Sequence, residues 1–539
     1  MSHSPIVLVE NARILTQNPQ QPSATAVAML QGRFVALDED ARRLPADRRI
    51  DAGGATLVPG FNDAHAHTVW FGQTLSEVDL SAACSTTEVY DTIAAAAVGV
   101  GERDWVIAAG FRPSALQDGE LSISALDRAA AGRPLLIKHV SGHANTVNTP
   151  ALWAAGVDPS HPPLVDGGEV VCDSTGAATG LLDENAMRLV QQVLLPESST
   201  EIAAAIEKAT AHYLSEGLTS VTDCGVAGGW IGHSPREIGA YQQATRHTRM
   251  QIMPTIDALH EIVGHSEDGY GYGLDGGIRT GLGDEWLQIG PTKMFMDGSI
   301  LSTTAAMAED YLCCPHRGYF QGDPAEMRRQ ALGAAAAGWS LALHALGDAA
   351  VDLSVAILSE IIDTYGAPAI PHRIEHGGVV RDDQLAAING RPIVIAPQPR
   401  FVHAFGDAVI RVLGEERAAF SYPARRLLDA GLILPGSSDR PVTDGAPLQA
   451  IESFVTRTTQ SGQLYYGSER LSAEQALYAY TAGSAAATGW AGRKGQIMPG
   501  QLADCVLLDR NPLQVAPEEI GRVQVLATIL GGELVYGEL

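Results

Sequence analysis

The sequence predicts an α/β protein built on a (β/α)8 TIM barrel, with a small β-sandwich domain formed from both termini and a large insertion after the first barrel strand. Three observations predict it. Strand-like apolar runs alternate with helix-like stretches eight times through the middle of the chain. Both ends read as short β segments. Histidine, lysine and aspartate recur at the polar ends of the central runs, where a barrel collects its chemistry.

From Ile6 to Leu37 the chain reads as β segments broken by Gly, Pro and Gln, and Cys505–Asp509 and Val525–Val535 read the same way. Residues 1–57 and 485–539 therefore form one composite β domain, and 58–484 form the barrel. The expected barrel strands are Leu57–Phe61, Thr219–Thr222, Met250–Thr255, Leu287–Phe295, Leu341–His344, Arg373–His376, Ile393–Ala396 and Leu432–Pro435. Between them, Glu201–Ser215, Met327–Ala337 and Ala349–Tyr365 carry apolar residues every three to four positions, the spacing of one helix face. His67 and Thr219 are about 150 residues apart, far more than one β/α step needs. An inserted subdomain of about 75–210 is expected there, over the barrel mouth, with strands of its own at Trp105–Phe111 and Pro134–Val140.

The 539 residues are 45% apolar and 18% charged, a globular composition able to bury a large core. No run reaches the roughly 18 to 20 apolar residues of a membrane span, and the first residues lack a basic segment followed by an apolar one. A cytoplasmic location is the expectation. Six scattered cysteines match neither a zinc ribbon nor a disulfide-stapled domain and are expected as reduced thiols. A net charge of −26 opposes nucleic acid and anionic membranes as partners. Only Lys138, Lys208, Lys293 and Lys494 are lysines among 36 basic residues, so a lysine here does something arginine cannot. Its amine can be deprotonated when buried and then react with carbon dioxide.

The chemistry starts at Val58-Pro-Gly-Phe-Asn-Asp-Ala-His-Ala-His67, where strand alternation points His65 and His67 to the same side. Imidazole and carboxylate are the donors that zinc and its neighbours favour. His65, His67 and Asp439 suit one divalent cation, and His344 and His376 a second. A carbamate on Lys293 supplies two oxygens to bridge them. Any one histidine among sixteen is more often a packed or surface residue. Six such groups at strand ends together make a metal-dependent hydrolase the expectation, with one or two ions per chain, zinc foremost.

These residues resemble the metal-dependent amidohydrolase superfamily, in particular the branch of N-substituted formamide deformylases and YtcJ-like amidohydrolases. Pro59–His67 is similar to the first-strand signature, Lys293-Met-Phe-Met-Asp-Gly-Ser299 to the fourth-strand lysine motif, and His344-Ala-Leu-Gly-Asp348 to the fifth-strand histidine. His372-Arg-Ile-Glu-His-Gly377 and Gly436-Ser-Ser-Asp439 resemble the sixth- and eighth-strand motifs, and Gly495–Asp504 the return into the β domain. The resemblance spans nearly the whole chain and implies the same ligand set. It departs at Ile300-Leu-Ser-Thr-Thr-Ala305, where a glycine and an arginine are missing.

The expected reaction is hydrolysis of a non-peptide carbon–nitrogen bond in a small amide or formamide by a metal-activated hydroxide, with Asp439 as proton shuttle. A mononuclear zinc deaminase of a heterocycle and a catalytically silent binding protein are the alternatives. His143, Trp70, Arg373 and Asp297 are candidate substrate contacts, with Arg373, Glu375 and Asp297 also suited to supporting a ligand histidine. Phe401, His403 and Phe405 could line an apolar substrate cavity. A homodimer is the prior for an enzyme of this size.

Overall fold

The computed structural model describes residues 5–538 apart from 103, 140–143, 166–167, 229–230 and 269. Val69–Ala205 form one compact unit, and the rest of the chain forms another.

In the larger unit, two four-stranded parallel sheets carry the site. One contains Phe61–Ala66, Leu218–Val226, Arg249–Pro254 and Leu287–Ile289, and the other Thr292–Phe295, Leu341–Ala345, His372–His376 and Ile393–Ala396. An isolated parallel bridge between Thr255 and Lys293 joins them. Leu218–Val226, Arg249–Pro254, His372–His376 and Ile393–Ala396 are buried at every position, as expected of parallel strands covered on both faces. Helices such as Pro324–Ala336 and Asp348–Tyr365 run between them. Pro324 at the first turn, with Asp323 accepting from Ala325 and Glu326 N–H, starts one of these.

Three expected strands are corrected. Leu57–Phe61 divides at Gly60: Thr56–Pro59 pairs with Val7–Leu15 and Cys505–Leu508, and the parallel sheet begins only at Phe61. A Cβ on Gly60 would meet the Thr219 side chain at 2.3 Å, so the crossing needs glycine. Leu287–Phe295 breaks at Gly290-Pro291, because proline has no N–H to give a ladder. Leu432–Pro435 forms no strand. The chain joins the first strand just beyond, through Ala64 N to Gly436 O at 3.0 Å, Asp439 N to His65 O at 2.7 Å and His67 N to Arg440 O at 2.9 Å.

The two ends of the chain meet in one eight-stranded sheet, in which Cys505–Leu508 lies between Thr56–Pro59 and Val525–Leu530. Phe34 N bonds Gln501 O and Gly500 N bonds Phe34 O, returning the Arg33–Leu37 edge towards the centre of the sheet. Ile14, Phe34, Leu57, Cys505 and Ile529 share its apolar core. Asp504, last residue of the Gly495–Asp504 motif, makes a two-pronged buried ion pair with Arg249 at 2.7 and 2.9 Å, tying the terminal sheet to the parallel strands.

The smaller unit holds a six-stranded sheet in the order Gly168–Cys172, Ala178–Glu184, Ala144–Val147, Leu135–His139, Val106–Phe111, Val78–Asp79. It begins directly after Thr68 and not near residue 75. Among the described residues, no helix is long and apolar enough to cross a membrane.

Lys494 gives this fold a pH signature. It is buried, bonds Ser220 Oγ, and is pushed by burial from 10.5 down to about 7. Between those values the unfolded chain holds a proton that the folded one lacks, so this residue makes stability rise with pH from about 7 to 10.5. Urea unfolding midpoints of a Lys494→Met variant across that range should lose this part of the slope.

Candidate metal centre

The structure brings together side chains from widely separated segments. Asp63, two residues before His65, accepts His65 N at 3.0 Å and Ser438 N at 3.1 Å on one oxygen and Ser438 Oγ at 2.5 Å on the other. This clamp, with the Asp439 N to His65 O bond, delivers Asp439 to the paired histidines. Asp439 Oδ1 lies 3.2 Å from His65 Nε2 and 2.9 Å from His67 Nε2, and its Oδ2 lies 4.0 Å from His376 Nδ1. The His65 and His67 rings are 5.4 Å apart. The His376 ring stands 4.9 Å from His65 and 4.6 Å from His344.

His376 and Asp439 both adopt left-handed backbone, at φ 70° and 58°. Such residues cost about 1 to 3 kcal/mol each and persist only where the surroundings hold them. His376 is held by Gln398, which accepts from Nδ1 at 2.7 Å while its amide donates to Ala396 O and Ser437 Oγ. Sequence reasoning missed Gln398. Its one signal was a polar side chain two residues past the apolar Ile393–Ala396 run.

Lys293 is 1% exposed, with Nζ 5.0 Å from the centre of the Phe295 ring, and that ring is 5.1 Å from His344. Burial, and then the Lys293 charge, push the His344 pKa down to about 3, and burial with His344 drives His376 well below the usual imidazole value. Burial alone would raise Asp439, but His65, His67 and His376 hold it well below the carboxylate range. The centre thus pairs neutral His344 and His376 with an ionised Asp439; burial alone would lower His65, but the charges of Cys224, Asp439 and Glu375 raise it well above the usual imidazole value, so a divalent cation bound there displaces its proton.

The donor set fits such an ion. Donor atoms of His65, His376 and Asp439 lie within 4.8 Å of one another. Among the described residues His344 Nδ1 is buried without a hydrogen bond, and His65 Nε2 and Asp439 Oδ1 are buried with only ion-pair contacts, a cost that coordination would remove. Cys224, expected only as core packing, lies within the same distance of His65 and Glu375, with its sulfur 3.6 Å from Met253 Sδ.

Two expected substrate contacts are corrected. Arg373 is fully buried, with Nε and Nη2 on Glu375 at 2.6 and 2.7 Å and Nη2 also on Ala64 O. Glu375 passes the interaction on, accepting His65 Nδ1 at 2.5 Å. An alternating strand sends Arg373 and Glu375 to one face and His372 and Ile374 to the other, while the left-handed backbone of His376 takes it off that alternation, so Arg373 supports His65 from inside the sheet. Asp297 is likewise buried and accepts Ala306, Leu346 and Gly347 N–H, fixing the chain after His344. Trp70 lies on Thr68–Thr74, in the smaller unit, and His143 lies outside the described residues. The Phe401 ring stacks on His376 at 6.0 Å and meets Phe405 edge-on at 5.1 Å. His403 bonds Thr458 O at 3.1 Å.

Parallel strands that converge on such a donor set define an α/β protein of the metal-dependent hydrolase type. The chain belongs to the amidohydrolase family, whose model matches residues 48–536, and so among enzymes that hydrolyse carbon–nitrogen bonds other than peptide bonds. It is 29% identical to the protein LONG AFTER FAR-RED 3 of Arabidopsis thaliana, over 98% of this chain and 91% of that one. It is 27% identical to the N-substituted formamide deformylase of Arthrobacter pascens, over 98% of each chain. An uncharacterized metal-dependent hydrolase from Pyrococcus horikoshii has the same fold, with a TM-score of 0.78 at 23% identity over 95% of this chain and 99% of that one.

Burial decides what the Arg373–Glu375 pair is worth. A Glu375→Gln variant leaves an uncompensated guanidinium in the core and should lose about 3 to 5 kcal/mol in urea unfolding. An Arg373→Met/Glu375→Leu double variant should recover a large part of that loss.

Proposed function

We propose that the protein is a metal-dependent hydrolase that cleaves the carbon–nitrogen bond of a small amide or N-substituted formamide. The observation that carries this reading is the convergence of buried His65, His67, His376, Asp439 and Lys293 with half-buried His344, where three donor atoms lack a regular hydrogen bond among the described residues. In this reading the two parallel sheets are halves of one (β/α)8 barrel, the terminal sheet is its β domain, and Val69–Ala205 is its insertion. The relative named N-substituted formamide deformylase supports the substrate class.

His65, His67 and Asp439 would hold one cation, zinc by its preference for nitrogen and carboxylate oxygen, and His344 and His376 a second. Lys293, carboxylated, would add oxygen donors to this set. Such ions supply Lewis acidity and a water that is nucleophilic near neutral pH. The protein's own groups do the rest. Asp439, held ionised and beside both first-strand histidines, takes a proton from the attacking water and returns it to the departing nitrogen as the carbon–nitrogen bond breaks. Glu375 fixes the tautomer and orientation of His65, and Gln398 those of His376. The products are a carboxylic acid and an amine.

Metal analysis and a screen of N-formyl, N-acyl and cyclic amides test this reading. Purified protein should carry one to two equivalents of divalent metal, and a chelator should abolish turnover until zinc is restored. Asp439→Asn should keep the fold and lose turnover by about 100-fold or more. Lys293→Ala should lose metal and activity, with short carboxylic acids restoring part of both. Protein that neither binds nor responds to transition metals, or an Asp439→Asn variant with full metal content and full activity, overturns the reading.

A further inference from the structure

The buried tyrosines of the larger unit follow one rule with one exception. Tyr213 donates to Thr68 Oγ1, Tyr241 to Asp223, Tyr311 to Ala305 O, Tyr465 to Ala418 O and Tyr480 to Ser437 O. A phenol removed from bulk water needs such an acceptor. Tyr422 is 3% exposed, yet its hydroxyl makes no hydrogen bond among the described residues.

Its position is unusual as well. Tyr422 sits at φ 46°, where a bulky side chain is strained. The strain is maintained from two sides. The chain after His376 pairs with it, through an antiparallel bridge from Val379 to Ser421 and bonds from Tyr422 N to Gly378 O and Val380 N to Phe420 O, each 3.0 Å. Behind it, buried Arg457 donates Nη1 to Tyr422 O at 3.0 Å and Nε to Tyr465 O at 3.1 Å. The ring so held meets Phe401 edge-on at 5.7 Å, and Phe401 stacks on His376. Burial, Tyr465 and the charge of Asp439 all raise the phenol pKa, so the group remains a donor and senses the candidate centre.

We propose that Tyr422 is a catalytic residue that donates its hydroxyl to the acyl oxygen of the substrate, in a site bordered by Asp439, His376 and Phe401. The assignment rests on the hydrolase reading above and deepens it. An ordered donor facing the place where negative charge develops stabilises the tetrahedral adduct without reorganising. No proton leaves the phenol: the hydroxyl hydrogen bond strengthens as the carbonyl oxygen gains charge, and Asp439 carries the proton that moves. Strain at Tyr422 is then the cost of aiming a hydroxyl at the ligand and away from the protein.

The test is the metal-loaded enzyme with Tyr422→Phe, assayed on N-substituted formamides and simple N-acyl amines. The expected result is a fall in kcat of about 100- to 1,000-fold with KM, metal content and unfolding midpoint near those of the parent. Inhibition by N-benzyl methylphosphonamidate, a mimic of the tetrahedral adduct, should weaken by the same factor. Tyr422→His, which keeps a ring and a donor, should recover about tenfold or more of the lost kcat. The assignment is overturned if Tyr422→Phe keeps kcat within about threefold, if the phosphonamidate inhibits both forms equally, or if both variants lose activity together with stability. Turnover that survives Tyr422→Phe and not Asp439→Asn removes this assignment alone. A parent enzyme with no chelator-sensitive turnover of any of these compounds removes the hydrolase reading and this assignment with it.

Discussion

Everything at the centre depends on Asp63. Its carboxylate binds the backbone of His65, the backbone of Ser438 and the Ser438 hydroxyl at once, welding the end of the first parallel strand to the turn that carries Asp439. Without that weld, Asp439 would lack the position from which it touches both first-strand histidines. The arrangement is electrostatic economy of a specific kind. Positive and neutral nitrogen donors crowd a dry core, and two carboxylates, Asp439 in front of His65 and Glu375 behind it, balance them. Arg373 then balances Glu375, so the charge chain ends inside the protein without reaching solvent.

Strain gathers at the same place. His376, Asp439 and Tyr422 hold left-handed backbone, and each is fixed by bonds to a neighbouring segment: Gln398 for His376, His65 O for Asp439, Gly378 O and Arg457 for Tyr422. Left-handed residues at a strand end turn the side chain off the alternating pattern of the strand. That freedom lets groups from separate segments face one point, which regular strand geometry alone does not permit.

This explains what the sequence could and could not reveal. The His65-Ala-His67 pair, Lys293, His344, His376 and Asp439 were readable because donor residues at the polar ends of apolar runs follow from alternation and strand order alone. Membership of the amidohydrolase family was readable from the motifs around them. Arg373 and Asp297 could be read either as substrate contacts or as supports of a ligand histidine, since a charged residue beside a donor suits both roles whether it faces the cavity or the sheet interior. Facing is set by register, and one residue of register reverses it. Gln398 and Tyr422 escaped because the local pattern around them assigns neither a role. Their meaning lies in the partners supplied by Ser437 and Gly378, which nothing near them in the chain announces. The strand limits near Gly60 and Pro291 failed for a simpler reason: apolar runs continue through both, and backbone chemistry interrupts them.

The sparing use of lysine now has a physical account. The buried guanidiniums each find oxygen partners: Arg249 meets Asp504, Arg373 meets Glu375, Arg440 meets Glu216, and Arg457 meets the carbonyls of Tyr422 and Tyr465. A cation that cannot shed its proton requires such company. Lys494 is buried against Ser220 Oγ, with burial lowering its pKa to about 7, a burial that suits an amine able to become neutral. Lys293 is buried as deeply, on the strand between the Thr255 bridge and His344, beside imidazoles and an aromatic ring. Arginine there would stay charged against neutral donors and could not become a carbamate. A primary amine can do both, so the proposed carbamate role at Lys293 and the buried Lys494 follow from one property of lysine, one that exposed Lys208 and half-buried Lys138 do not call on.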